Sequence, residues 1–282
     1  MKIGMNMLLW APVVGEEHYP LFERLKETGF DGVEIPIHEN PVDDYRRLGD
    51  HLDSIGLERT GTLALPPHQN PISADAGERT AALERMRGAA DRTAAMGGTV
   101  IAGPFHSAYA VFSGSGPTDD EKQRSAEVMH ASAQAAGAVD VLLACEFLNR
   151  FECYLLNTAA DARELVRAVD HPAFSMLYDT HHAHIEEQDI ESAILSSKAE
   201  IGHVHISEND RGVPGRGQVD WATTFRCLKE IDYDGWLMIE AFSRLDPDFA
   251  AAVHIWRDFS QDPDEVQRDG FTFVRDRWAE QA

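Results

Sequence analysis

The chain has 282 residues, 43% of them hydrophobic and 26% charged, with a formal net charge of −23. So acidic a chain offers little to neutralise phosphates, which argues against a nucleic-acid partner, and no apolar run approaches the ~18 residues of a membrane-spanning helix. The length lies somewhat above the ~250 residues of one (β/α)8 barrel and leaves open one large domain or two.

Residues 2–8 read as a first strand. The opening run to Trp10 resembles a secretory signal only superficially: Asn6 interrupts it, a single lysine leads it and Pro12 cuts it short. The expected location is therefore the cytoplasm. Residues 19–28 carry Leu21, Phe22 and Leu25 at helical spacing and end at Gly29. Residues 32–37 form the next strand, with Pro36 near its exit, and 43–54 the next helix, closed by Gly56. A strand over 57–65 breaks at Pro66-Pro67, and an Ala- and Arg-rich helix over 77–96 stops at Gly97-Gly98. A fourth strand, 99–102, leads into Gly103-Pro104-Phe105-His106. After the loop Ser113-Gly114-Ser115-Gly116-Pro117, the pattern Thr118-Asp119-Asp120-Glu121 is a capping box that starts a helix running to Ala136.

The second half repeats the rhythm: strand 139–147, helix 159–169, strand 174–179 with a His-rich loop, helix 189–198 and strand 201–207. A Gly/Pro loop, helix 221–231, strand 236–241 and two closing helices near 247–258 and 264–280 complete it. Eight strands, each followed by a helix, imply a parallel sheet. Strands that are apolar almost throughout, such as Val141-Leu142-Leu143-Ala144, imply burial on both faces. The expected fold is an α/β (β/α)8 TIM barrel over residues 1–282, one domain with an extra C-terminal helix. An open doubly wound sheet is the alternative, but no Gly-rich phosphate loop follows the first strand. Cys145, Cys153 and Cys227 show no CxxC spacing and read as buried small hydrophobes in a reducing compartment. With only five lysines, the acidic excess reads as a solvated surface rather than salt adaptation.

Four apolar runs end in a residue able to bind a metal: Glu146, Asp179, His205 and Glu240. Their intervals are 33, 26 and 35 residues (146 to 179, 179 to 205, 205 to 240). One β/α unit is on the order of 30 residues, so they fall at the C-terminal ends of successive strands, where barrel active sites form. Alternation along a strand puts Ala144 and Leu142 on the Glu146 face, Met238 on the Glu240 face and His203 one layer below His205. Three carboxylates buried together need a cation, and a donor set of three carboxylates and one imidazole favours Mn²⁺, Mg²⁺ or Co²⁺ over a thiolate zinc site.

The segments Glu146-Phe147-Leu148-Asn149-Arg150-Phe151-Glu152, Asp179-Thr180-His181-His182 with Ile185-Glu186-Glu187, His203-Val204-His205 and Met238-Ile239-Glu240 resemble the ketose 3-epimerases. These are the D-tagatose/D-allulose 3-epimerase group of the xylose isomerase-like barrels. The resemblance covers most of the chain, is strongest from about residue 139 onward, and includes Gly215-Arg216-Gly217-Gln218-Val219-Asp220-Trp221. It implies an isomerase acting on a free ketose at C3, with one divalent metal per chain, usually Mn²⁺ or Co²⁺, on Glu146, Asp179, His205 and Glu240. It implies that the metal holds O2 and O3 as a Lewis acid, and that Glu146 and Glu240 exchange the C3 proton from opposite faces through a cis-enediolate. Glu152 is then expected at O1, and His182 and Arg211 at O2, with His181 and His184 as rivals for the His182 role. Homodimers or homotetramers are the assemblies it implies.

The N-terminal half departs from the best-known members. Asn6 stands where an aromatic is expected, and the loops at Pro66-Pro67-His68 and Gly103–Tyr109 differ. Asn6, Glu34, His68 and His106 are the expected contacts there, each with an alternative structural role. Rival activities on the same site are an aldose–ketose or hydroxypyruvate-type isomerase and an inosose dehydratase. Rivals of other classes are a zinc DNA-repair endonuclease and a non-catalytic sugar-binding protein.

Overall fold

The computed structural model describes residues 1–281. Eight parallel strands pair in sequence order and close into a barrel. They are β1 (Lys2–Asn6), β2 (Gly32–Pro36), β3 (Glu58–Thr62), β4 (Val100–Gly103), β5 (Leu142–Glu146), β6 (Phe174–Asp179), β7 (Ile201–Ile206) and β8 (Trp236–Ile239). Between and after them run α1 (Tyr19–Thr28), α2 (Val42–Ile55), α3 (Ala76–Ala95), α4 (Asp119–Gly137), α5 (Ala159–Val169), α6 (Thr180–Glu186), α7 (Ile190–Leu195), α8 (Trp221–Glu230), α9 (Pro247–Ala252) and α10 (Pro263–Glu280). No helix among the described residues is long and apolar enough to cross a membrane.

Alternation along the strands divides the core in two. Leu143, Cys145, Met176, Tyr178, Val204, Ile206, Leu237 and Ile239 join the large cluster under the helices. Val100, Ala102, Ala144 and Leu177 form a small separate cluster inside the barrel, with Leu142 against it. Polar side chains share that interior: Asn6, Glu34, Thr60 and His203 are all buried. All three cysteines are buried and free.

Local chemistry sets the boundaries. Gly29, with φ +114, closes α1 in the left-handed region that glycine tolerates. Thr118 and Glu121 form the capping box of α4. β1 stops at Asn6 because its side chain accepts from the Leu8 backbone N–H and starts a short 3-10 turn over Met7–Leu9. The segment expected as a His-rich loop after β6 is the helix α6. Asp179 Oδ1 caps it, accepting from the backbone N–H of His181 at 2.6 Å and of His182 at 3.1 Å. β3, α7 and α9 are each shorter than expected.

The β6–β7 ladder shifts register: Met176 pairs with Ile201, but Leu177 pairs with His203, skipping Gly202. Above the shift Tyr178 lies beside Val204 and Asp179 beside His205.

Candidate active site

The four strand-end residues meet. Glu146, Asp179, His205 and Glu240 each offer an atom, all within 4.8 Å of one another, and all four are buried. Glu146 and Asp179 close β5 and β6, His205 lies one residue before the end of β7, and Glu240 follows β8 directly.

His205 is held from behind. Its Nε2 donates to Glu34 Oε1 at 2.8 Å, which leaves Nδ1 as the free nitrogen. Nδ1 faces Asp179 Oδ2 at 3.7 Å and Glu240 Oε1 at 3.4 Å and has no hydrogen-bond partner. Asp179 spends Oδ1 on the α6 cap, leaving Oδ2 toward the cluster. Glu146 Oε1 is also buried without a hydrogen-bond partner.

Burial, reinforced by the neighbouring Glu240 carboxylate, pushes the Glu146 carboxyl well above its ordinary range. Burial would also raise Asp179, but Arg211, His182 and His205 outweigh it and hold it well below. Burial would lower His205; the Glu34 and Glu240 carboxylates outweigh it and hold the imidazole well above its usual value. Three carboxylates, one of them with a partnerless oxygen, and a partnerless imidazole nitrogen make the donor set of a hard divalent cation. The cluster suits a metal ion.

Arg211 and His182 stand beside this cluster. Arg211, at φ 63, is one of few non-glycine residues in the left-handed region, and its carbonyl accepts from Phe242 N–H at 3.0 Å. Its Nη1 donates to Glu240 Oε2 at 2.7 Å, Ser207 Oγ at 2.7 Å and Asp179 Oδ2 at 3.3 Å, and its guanidinium stacks over Phe242. His182 Nδ1 accepts from the Asn149 backbone N–H at 3.0 Å, so Nε2 carries the proton. That Nε2 lies 3.3 Å from Glu146 Oε1 and 3.0 Å from Arg211 Nη2, so two donors converge on one spot. His181 turns away, with Nδ1 3.2 Å from the Glu208 carbonyl, and His184 is exposed.

A cavity of about 540 Å³ opens over the C-terminal strand ends. Glu146, Glu152, His182, Arg211 and Glu240 line it, as do His68 and Tyr109. Glu152 is braced from two sides: Asn149 Nδ2 donates to Oε1 at 2.7 Å and Tyr109 Oη to Oε2 at 3.2 Å.

Asn6 and His106, expected near the sugar, and Glu34, expected to face the site or to make a structural hydrogen bond, all sit away from the cavity lining, because each has buried partners. Asn6 lies under the cluster, its Nδ2 donating to Glu34 Oε1 at 2.9 Å and Glu240 Oε1 at 3.1 Å. Glu34 also accepts from Thr60 Oγ1 at 2.9 Å and faces His203 Nε2 at 3.1 Å. Burial would raise its carboxyl, but His205 and His203 outweigh that and bring it to about 2. His106 is buried behind the wall against Ser107 and Cys153, and burial pulls its imidazole down to about 3.

Sequence reasoning missed Asn149, Tyr109 and Glu208. Asn149 gave a signal, lying three residues after Glu146 in the segment that also carries Glu152. Glu208 gave one too, as an acid just past β7 and ahead of a Gly-rich loop. Its carboxylate accepts from the backbone N–H of Asn209, Gly215, Gln218 and Val219 and from Trp221 Nε1, clasping the loop that carries Arg211.

A family model described as xylose isomerase-like TIM barrel matches residues 22–276. The chain belongs to that family. It is 33% identical to a probable ketose 3-epimerase of Synechocystis sp. over 98% of this chain and 96% of the relative. It is 31% identical to a ketose 3-epimerase of Arthrobacter globiformis over the same shares. A crystal structure of D-psicose 3-epimerase with D-tagatose, from Clostridium cellulolyticum H10, superposes with a TM-score of 0.91 at 28% identity, covering 99% of each chain. Within its family this chain is an isomerase of the ketose 3-epimerase kind.

Proposed function

We propose that the chain epimerises a free ketose, a ketohexose or ketopentose, at C3. The observation that carries the reading is the pair Glu146 and Glu240, two buried carboxylates that line one cavity and belong to a four-donor cluster. A divalent metal held by Glu146, Asp179, His205 and Glu240, with Mn²⁺ preferred and Co²⁺ or Mg²⁺ as alternatives, supplies Lewis acidity toward the sugar's oxygens.

The chain's own side chains do the rest. One of Glu146 and Glu240 takes the C3 proton from one face, and the other returns a proton to the opposite face, which inverts the carbon. His182 Nε2–H and the Arg211 guanidinium donate to the sugar's O2 side, where negative charge gathers as the proton leaves. Glu152, held by Asn149 and Tyr109, binds the O1 end.

The test is a panel of ketohexoses and ketopentoses with the Mn²⁺-loaded enzyme in ²H₂O. A ketose product labelled at C3 is expected. An aldose product, or label at C1 alone, overturns the assignment in favour of C1–C2 isomerisation. A chelator is expected to abolish turnover and added Mn²⁺ to restore it.

A further inference from the structure

The cavity is longer than its catalytic corner. Glu146, Glu152, His182, Arg211 and Glu240 crowd the side of β5–β8. Across the mouth, above β2 and β3, the wall is made by Ile37, Leu63, Leu65 and Pro66, with Arg85 and Gln69 set among them.

Arg85 is unusual there. It projects from α3, is 9% exposed, and its Nη2 donates to the Ile37 carbonyl. Its Nη1 is buried and has no hydrogen-bond partner. No carboxylate pairs with it among the described residues; Glu39 is in the same wall but is exposed and makes no ion pair with it. Gln69 Oε1, in the same wall, is likewise buried and partnerless. A buried guanidinium without a paired counterion is costly, and the exposed Glu39 carboxylate offsets only part of its lost hydration. Burial lowers its pKa accordingly. The other buried arginine of the cavity, Arg211, is matched to Asp179 and Glu240.

Resting on the epimerase reading, we infer that Arg85 forms the far end of the substrate subsite and binds an oxyanion there. The ketose taken then carries a negatively charged group at the end remote from C1–C3. One guanidinium, no lysine in the cavity wall and the nearby Glu39 favour a monoanion over a dianion. A planar fork matches a carboxylate best. The substrate class is a ketose with a terminal carboxylate; Gln69 completes the subsite by bonding the adjacent hydroxyl.

The test compares three ligands on the Mn²⁺-loaded enzyme: a neutral ketohexose, the same sugar with a C6 carboxylate, and its 6-phosphate. Kd is read by calorimetry and kcat/KM by product analysis, in the wild type, Arg85→Met and Arg85→Lys. The carboxylate is expected to bind the wild type at least tenfold more tightly than the neutral sugar, and Arg85→Met to erase that ratio. Arg85→Lys, which keeps charge but loses the fork, is expected to retain part of it and decides the matter if Arg85→Met does not fold. A preference for the 6-phosphate that depends on Arg85 keeps the subsite and reassigns the anion to phosphate. Equal Kd values in the wild type, or a ratio that survives both substitutions, overturn the proposal. A merely structural Arg85 would lower the ligand-free Tm and leave the Kd ratio untouched. Should Arg85-dependent binding appear without turnover of any of the three, the epimerase reading fails and the subsite stands.

Discussion

The two halves of the barrel divide the labour. β5 to β8 supply every donor of the metal-type cluster from their C-terminal ends, together with His182 and Arg211 just beyond. β1 to β4 supply none of the four. Their inward side chains, Asn6 and Glu34, lie beneath the cluster and hold His205 and Glu240 in place, while their loops shape the distant wall. The difference teaches that a barrel of eight similar units need not use them alike. One arc carries the clustered donors, and the facing arc carries the side chains that orient them and the far wall of the cavity.

The sharpest way to break this division is at the reacting pair. Glu146→Gln or Glu240→Gln is expected to cut kcat by about 10³-fold, the scale of a lost general acid or base, with an unchanged circular dichroism spectrum. Turnover surviving in both variants would move the chemistry away from this arc.

Next in size comes the clasp that holds Arg211 on the reacting side. Glu208→Gln is expected to lower stability by about 3 kcal/mol, since a buried charge-assisted acceptor of several N–H groups is lost. Burial would raise the Glu208 carboxyl, but the bonds from the Asn209 backbone and from Trp221 outweigh it and lower it below its ordinary 4.5. A carboxyl depressed in the folded state stabilises fully above its unfolded value and loses that contribution as pH falls through the folded one. The gap in Tm between wild type and variant should therefore be widest above about pH 4.5 and shrink on acidification. A gap that widened toward acid would contradict the assignment.

A smaller effect tests the supporting arc. Glu34→Gln is expected to weaken metal binding about 10–100-fold by releasing the imidazole of His205, and excess Mn²⁺ should restore much of the turnover. Undiminished affinity, measured by metal titration, would mean that the floor merely fills space. The least effect is expected at the rim. His68 is exposed on the cavity wall, and His68→Ala should change KM by no more than about threefold and leave Tm alone.

The fold and the convergence of the four strand-end donors were legible for the same reason. Parallel strands buried on both faces are continuous apolar runs, so an acid or histidine ending one stands out, and the spacing of Glu146, Asp179, His205 and Glu240 followed the β/α repeat. The supporting arc was harder to read because its residues work through distant partners. Nothing local tells that Glu34 reaches His205, 171 positions later, or that Asn6 reaches Glu240. α6 was missed because its start depends on Asp179 turning one oxygen to the backbone, which residue type alone leaves open. Arg85 looked like any arginine on a polar helix; only its burial sets it apart.

The skipped residue in β7 has a mechanical consequence. At the base of the strand the pairing offset would set Asp179 beside Val204, whose side chain serves the outer core. The irregularity at Gly202 works as a change of phase. Below it Ile201 keeps time with the packing under the helices, and above it His203 and His205 keep time with the interior. A side chain at 202 would strike Ser175, with a Cβ only 2.2 Å from its Oγ, so the bulge leaves room for glycine alone. The hydrophobic base and the ligand-bearing tip of this strand are thus uncoupled, and repacking one need not mistune the other.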